Sequence, residues 1–373
     1  LQAVAERAFG DYLGGLVALD PNTGGVLALV SRPGFDPNLF VDGIDPETWK
    51  ALNESPERPM VNRALRGVYP PGSTIKPFMA LAGLELGLRK PSDAIVDPGY
   101  FSLPNSRHQY RDWKRGGHGV VDLRKSISQS CDTYYYTLAV DMGVDRMHDY
   151  LAQFGLGEKT GIDLDGESAG LLPSRDWKQR RFKQVWYPGE TVIAGIGQGY
   201  HLTTPLQLAA ATAMLANGGK RIEPRLVQAV RDPLAHAWQP QPGMARGQMA
   251  ITPAHLAVVR EGMMDVMRPG GTASAAAAGA PYTIAGKTGT AQVVGIKQGA
   301  RYEASRLSRQ YRDHALFIAY APAENPTIVV AVMVENGGHG GSTAAPIARA
   351  VFDYYLTGKR PVEIKLEADN AAD

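Results

Sequence analysis

The chain has 373 residues, enough for one large domain or for two to three smaller ones. Its 44% hydrophobic and 20% charged residues are those of a soluble globular protein able to bury a sizeable core. A net charge of +2 argues against nucleic acid or an acidic partner, and a single cysteine, Cys131, excludes an intrachain disulfide without deciding the compartment.

Residues 1–9 read as a short amphipathic helix. No run approaches the roughly 18 apolar residues of a membrane span and no signal peptide is present; because the chain begins mid-helix in character, it reads as an excised fragment or mature domain, and this says little about an anchor in the parent protein. Two apolar strands follow, Gly15 to Asp20 and Gly25 to Val30, joined by Pro21-Asn22-Thr23-Gly24 as a β-hairpin. The polar, Pro-rich stretch from Arg32 to Pro59 looks like a surface excursion. Pro71-Gly72 then reads as a turn into a helix running through Glu85, with Pro77 pinning the helix start close to Ser73. Residues 87–120 show little periodicity. A second helical run starts near Val121 and carries Ser126, Ser130 and Tyr134, and a third spans about Asp145 to Phe154. Gly155 to Gly189 reads as mostly loop, with Arg180-Arg181-Phe182-Lys183 as a solvated basic patch. Gly195-Ile196-Gly197-Gln198-Gly199 lacks the preceding strand and the spacing of a nucleotide loop. Helices are expected over Thr203 to Ala216 and Thr252 to Met267, each opened by Thr-Pro. Strands are expected around Ala285 to Val293, Leu316 to Tyr320 and Thr327 to Val334, then a closing helix from Thr343 to Leu356. With strands at both ends and helices between, the economical architecture is α+β: one sheet from both termini, with a helical lobe inserted over about 75–280.

Three short signals occur in order: Ser73-Thr74-Ile75-Lys76, Ser130-Cys131-Asp132 and Lys287-Thr288-Gly289. Each alone is weak; together they match the S-x-x-K, S-x-N and K-T-G set of serine acyl-transferases, with Asp132 in place of the usual asparagine. The chemistry accounts for the residue types. Ser73 supplies a hydroxyl nucleophile at the positive end of a helix dipole, and Lys76, three residues on, shares its face and can take the proton. A lysine does so only if part of it is neutral near pH 7; burial and a neighbouring cation, Lys287, favour that. Ser130 can relay a proton to the leaving amine. Thr288, Thr290 and the Lys287 charge can hold a substrate carboxylate, and Gly289 lets the strand backbone approach the substrate. The N–H groups of Ser73 and Thr290 are the natural oxyanion hole.

On these motifs, and on Asp36 to Ile44, Tyr69 to Ser73, Tyr110 to Lys114, Gly195 to Gly199 and Lys287 to Gln292, the chain resembles the transpeptidase domain of class B penicillin-binding proteins, nearest the elongation subgroup of rod-shaped Gram-negative bacteria. The aspartate at 132 is usual in that subgroup. The resemblance covers nearly the whole chain. It implies the penicilloyl-serine transferase, or β-lactamase-like, fold: an antiparallel sheet flanked by helices beside an all-helical subdomain, the site between them, over residues 1–373. It implies D,D-transpeptidation of peptidoglycan: Ser73 attacks a D-Ala-D-Ala stem peptide, releases terminal D-Ala, and passes the acyl group to a neighbouring amine. It implies acylation by β-lactams, no catalytic cofactor, and a parent protein anchored at the periplasmic face of the inner membrane through a pedestal. A SEDS-family glycosyltransferase and the elongation machinery are the implied partners.

Cys131, with Asp97, Asp112 and His118 upstream, offers one thiolate, one imidazole and two carboxylates, a four-coordinate zinc shell. The spacing fits no standard finger, and a buried cysteine acting as a small hydrophobe stands against it. The resemblance implies zinc in some members of the subgroup, here a structural ion bracing the loop against the Ser130 helix. Two rival activities share the nucleophile. A class A β-lactamase needs an E-x-x-L-N motif, and the nearest glutamate context, Glu167-Ser168-Ala169-Gly170, does not fit; a β-lactam sensor would not be expected to carry the substrate-cleft stretches above.

Overall fold

The computed structural model describes residues 1–232, 234, 236–293 and 308–360. Its centre is a five-stranded antiparallel sheet in the order Ala285–Ala291, His314–Ala321, Ile328–Val334, Gly14–Leu19, Val26–Arg32. The two ends of the chain meet in it, with Leu16 opposite Val332 and Val17 opposite Ala331. Every residue of Gly14–Leu19 and Ile328–Val334 is buried, which requires cover on both faces. Helices Gln2–Phe9 and Ala344–Thr357 pack on each other and on the sheet from one side; helix Pro205–Ala216 covers it from the other. Ala285–Ala291 and Val26–Arg32 are the two edge strands, and the first, hereafter the edge strand, lies against the Ser73 turn.

The elements form where local chemistry directs them. The N-terminal hairpin turns at Asp20, whose carboxylate accepts from Asn22 N–H at 2.8 Å. Helix Pro205–Ala216 opens with a reciprocal capping box: Thr204 Oγ1 accepts from Gln207 N–H at 3.1 Å, and Thr204 N–H donates to Gln207 Oε1 at 2.9 Å. Between the two halves of the sheet the chain is chiefly helical. It also carries four two-stranded ladders among the described residues, one of them pairing Ile95–Asp97 with Gly119–Val121. No described helix is long and apolar enough to cross a membrane.

The stretch from Arg32 to Pro59 is the surface excursion expected, with local structure of its own, and two other expectations differ from what is found. The surface excursion contains a 3-10 turn, Pro37–Phe40, and a helix, Pro46–Glu54, neither burying a residue. Each is opened by an Asp-Pro pair whose carboxylate caps the first turn, a signal that apolar periodicity cannot show. Helix Arg175–Phe182 lies where a loop is expected. It is capped by Ser174, its one buried residue is Lys178, paired with Glu190, and it carries the exposed basic patch at its end. Finally, the single helical run expected through Ser126 and Ser130 is two helices, Leu123–Ser128 and Asp132–Met142. They break at Ser130, whose φ of 56° is left-handed.

Candidate active site

The nucleophile turn begins at Tyr69, which forms a two-bond bridge with Thr203, at 2.9 and 2.8 Å. Gly72–Ile75 is a 3-10 turn that passes directly into helix Lys76–Glu85, with Pro77 in its first turn, where a missing N–H costs nothing. The Ser73 hydroxyl is half-buried and takes no hydrogen bond among the described residues. Lys76, three residues on, makes no hydrogen bond to it. The Lys76 ammonium is fully buried and donates to Asp132 Oδ1 at 2.6 Å, Ser130 O at 2.7 Å and Ser130 Oγ at 3.1 Å. Of the three acceptors only the Asp132 carboxylate is charged, which makes that bond the strongest.

Lys287 approaches the same Ser130 hydroxyl from the edge strand. Its ammonium donates to Ser130 Oγ at 2.9 Å and Thr288 O at 2.8 Å. Ser130 Oγ thus sits between two amines from elements far apart in sequence. The left-handed backbone at Ser130, which costs roughly 1–2 kcal/mol, turns both its carbonyl and its hydroxyl toward Lys76. Burial, and after it the charge of Lys76, hold the Lys287 ammonium well below the ordinary lysine range. Lys76 has a carboxylate in contact; Lys287 has none among the described residues.

The remaining edge-strand residues have these surroundings. Lys287 is buried and engaged with Ser130 rather than presenting its charge outward. The Thr288 hydroxyl is paired with that of Thr272 at 2.8 Å, a residue that no motif points to. Gly289 is bare toward the nucleophile turn, not toward open space: a Cβ there would lie 2.7 Å from Thr74 Cγ2 and 3.2 Å from Pro71 O. The Thr290 hydroxyl makes no hydrogen bond among the described residues, while Thr290 O accepts from Gln198 Nε2 at 3.1 Å. In antiparallel pairing a residue's N–H and C=O face the same side, so Thr290 N–H lies on the strand's free edge as well.

Asp97, Asp112, His118 and Cys131, the four residues singled out for a metal, converge. They are all buried, with ligand-type atoms within 4.8 Å of one another. His118 Nδ1 lies 2.8 Å from Asp97 Oδ2 and 3.3 Å from Asp112 Oδ1, and its Nε2 is buried with no partner. Burial raises the Asp97 carboxyl, but hydrogen bonds, from Gly99 N–H at 2.7 Å and His118 N–H at 2.8 Å among them, outweigh it and bring it down to about 2. Burial and the Asp132 charge raise the Asp112 carboxyl; burial and the Asp112 charge raise the Cys131 thiol. Asp112 Oδ2 also accepts from the N–H groups of Asp132 and Thr133, at 2.7 and 3.1 Å, and so caps the helix that begins after Ser130. The exposed Trp113 donates its indole N–H to Gln129 O and Ser130 O, each at 3.1 Å. The 97–118 segment is thereby fastened onto the Ser130 turn.

Glu167, weighed as a deacylation carboxylate, accepts from Thr160 N–H at 2.7 Å and Gly161 N–H at 3.2 Å, and so ties a loop. The fold brings Lys76, Ser130, Asp132 and Lys287 into one hydrogen-bonded group, with Ser73 in the turn that leads into the Lys76 helix. Sequence reasoning overlooks Gln198 and Thr272 as contacts of the edge strand, although the glycines flanking Gln198 mark a tight backbone approach.

Residues 14–353 match the model of the penicillin binding protein transpeptidase domain. The peptidoglycan D,D-transpeptidase MrdA of Acinetobacter baumannii is 47% identical over 98% of this chain and 54% of its own length. That of Escherichia coli K12 is 42% identical over 98% of this chain and 58% of its own. Among solved structures, PBP2 of Pseudomonas aeruginosa in complex with WCK 5153 superposes with a TM-score of 0.87 at 46% identity, covering 98% of this chain and 76% of that one. PBP2 of Helicobacter pylori in complex with MreC gives 0.83 at 32% identity, covering 96% and 63%. The chain spans little more than half the length of the curated relatives it matches.

Proposed function

Because this chain belongs to the penicillin-binding protein transpeptidase family, with the penicilloyl-serine transferase fold, we propose that it is the catalytic part of a peptidoglycan D,D-transpeptidase of cell elongation, acting through a Ser73 acyl-enzyme. The observation that carries this is the shared hydroxyl: Ser130 Oγ lies 3.1 Å from Lys76 Nζ and 2.9 Å from Lys287 Nζ, beside the Ser73 turn. Ser73 Oγ attacks the carbonyl carbon of the penultimate D-Ala while its proton passes to Lys76, which accepts it as the neutral amine, its side chain turned from Ser130 and Asp132 toward Ser73. The C–N bond to terminal D-Ala breaks, and Ser130 relays the proton from Lys76 to the departing amine. An amine of a neighbouring stem peptide then attacks the ester carbon, the bond from that carbon to Ser73 Oγ breaks, and the amine's proton returns along the same route to Ser73 Oγ. Asp132 orients Lys76. Lys287 holds Ser130 and adds positive potential. The free edge of Ala285–Ala291, with Thr288, Gly289 and Thr290, offers a strand for an extended peptide to pair with. A β-lactam carbonyl would enter by the same path, its ring nitrogen taking the relayed proton.

After benzylpenicillin, mass spectrometry is expected to find one adduct, on the peptide containing Ser73, and none in Ser73→Ala. A long-lived adduct together with D-Ala release from a stem peptide supports the transpeptidase. Fast lactam hydrolysis would make the protein a lactamase, and an adduct without peptide activity would make it a sensor. Glu167, spent on loop amides, disfavours the first of these.

On this reading residues 1–373 form one transpeptidase domain with a helical subdomain over about 75–280, within a longer protein at the periplasmic face of the inner membrane. A SEDS-family glycosyltransferase and elongation proteins such as MreC, which accompanies the Helicobacter relative, are its partners. Asp97, Asp112, His118 and Cys131 hold a structural zinc. Their convergence, with His118 Nδ1 facing both carboxylates, and the mixed donor set fit that ion. It would fasten the 97–118 segment to the Ser130 turn and take no part in acyl transfer. Elemental analysis of protein purified without chelator is expected to find close to one equivalent; less than about a tenth would end the assignment.

A further inference from the structure

The oxyanion hole of this site needs two N–H donors from different elements, Ser73 on the nucleophile turn and Thr290 on the edge strand. Both elements are held by one loop. Gly72 N–H, one residue before Ser73, donates to Gly197 O at 2.9 Å. The side chain of the next residue, Gln198, donates to Thr290 O at 3.1 Å. The first amides of a helix have no acceptor inside it. With Gly72 N–H spent on Gly197 and Thr74 N–H on Pro71 O at 3.3 Å, the Ser73 amide is the one left to face a substrate.

The glycines at this junction let the three segments close on one another. Gly72, at φ 52°, lies against the Thr290 carbonyl: a Cβ there would come 2.6 Å from Thr290 O and 3.5 Å from Gln198 Nε2. Gly197, at φ 72°, lies against Gly72, and a Cβ on it would come 2.8 Å from Gly72 N. Both positions also require a left-handed backbone that other residues adopt at a cost. Space and backbone conformation therefore serve one contact, the amide of Gln198 on the last free-edge carbonyl of the strand.

We infer that Gln198 is a positioning residue for acyl transfer: it sets the distance and tilt between the two oxyanion donors by clamping the Thr290 peptide from its carbonyl side. A hydrogen bond to Thr290 O fixes that residue's edge-facing groups. It also keeps solvent off a carbonyl which, left free, would draw the strand's edge toward water. Gln198 touches neither the nucleophile nor the proton path, so its loss acts on the transition state through the Ser73–Thr290 spacing alone. This inference rests on the Ser73 acyl-enzyme reading.

The test uses the full chain, the near-isosteric Gln198→Glu, which cannot donate from an ionised carboxylate, and Gln198→Ala. Rapid-mixing acylation by a fluorescent penicillin separates non-covalent affinity from the acylation rate constant. Removing one oxyanion donor outright costs on the order of 100- to 1000-fold; displacing one is expected to lower the acylation rate roughly 10- to 100-fold, with affinity changed less than about 3-fold. The acyl-enzyme ester carbonyl, polarised by the two donors, is expected to move to higher wavenumber in the infrared for both variants. A purely structural role would lower Tm without moving that band. If Gln198→Ala fails to fold, Gln198→Glu carries the test. Acylation within about 3-fold of the unaltered protein, a loss confined to affinity, or an unmoved carbonyl band overturns the inference. Absence of any Ser73 adduct in the unaltered protein would instead sink the acyl-enzyme reading itself.

Discussion

Two amines share one hydroxyl at Ser130, and the second of them is held there at a thermodynamic cost. Lys287 is fully buried and its ammonium lies well below the ordinary 10.5, first through burial and then through Lys76. Below pH 10.5 the unfolded chain therefore binds a proton more readily than the folded one. The resulting loss of stability is complete below the folded pKa and disappears as pH rises through 10.5. Lys287→Met removes this cost together with two hydrogen bonds, each worth about 1 kcal/mol at any pH. The Tm of the variant relative to the unaltered protein should accordingly be highest on the acid side of the folded pKa and fall as pH rises from there through 10.5. The same change should slow penicillin acylation on the order of 100-fold or more, because Ser130 loses a partner in the proton path. A Tm difference that stays flat with pH would mean that Lys287 carries no such penalty.

The nucleophile turn and the edge strand are assembled by surface shape, and glycine decides how closely they sit. A Cβ at Gly289 would meet Thr74 Cγ2 at 2.7 Å and Leu316 Cβ at 3.1 Å, so Gly289→Ala must push the strand off the turn. Overpacking of this kind typically costs about 1–3 kcal/mol. Thr74→Ser removes the offending methyl and keeps the hydroxyl that donates to Pro71 O at 2.6 Å. Urea unfolding of the two single variants and the double should show that Thr74→Ser recovers about 1 kcal/mol in the Gly289→Ala background; strictly additive losses would show that the methyl is not what resists. Elements are also where the fold was only partly legible in the sequence. Helix Pro205–Ala216 announces itself by a cap and an apolar run, and the strands by their β-branched and small apolar residues. The break at Ser130 does not, because helical periodicity continues across it: Gln129, Ser130 and Cys131 include no glycine or proline to mark a left-handed turn. Helix Arg175–Phe182 is hidden for the opposite reason, having no apolar stripe at all.

At the scale of the whole molecule, the catalytic groups come together only after both ends of the chain have entered one sheet. The joint is visible at Glu335, immediately after the central strand Ile328–Val334. Its Oε1 accepts from Arg63 Nε at 2.8 Å and from the hydroxyl of Tyr69, at the start of the nucleophile turn, at 2.6 Å. Burial and then the Glu335 charge push the Tyr69 phenol far up, so it remains a donor to that carboxylate. Arg63 is itself buried and also donates to the backbone carbonyls of Glu57 and Arg58. Glu335→Ala leaves that guanidinium without its counter-charge, a change that costs about 3 kcal/mol when a buried pair loses one member. Strands at the two ends of the sequence make this closure foreseeable; a charge network 272 positions apart, without a motif, is not. If the sheet and the site are one cooperative unit, far-UV ellipticity and penicillin acylation should disappear at the same urea concentration in the unaltered protein. In Glu335→Ala both midpoints should fall together, by about 1 M or more for an m-value of about 1–3 kcal/mol/M. Acylation lost well before ellipticity, in either protein, would mean that the Ser73 turn detaches while the sheet stands, and that the two chain ends do not hold the site.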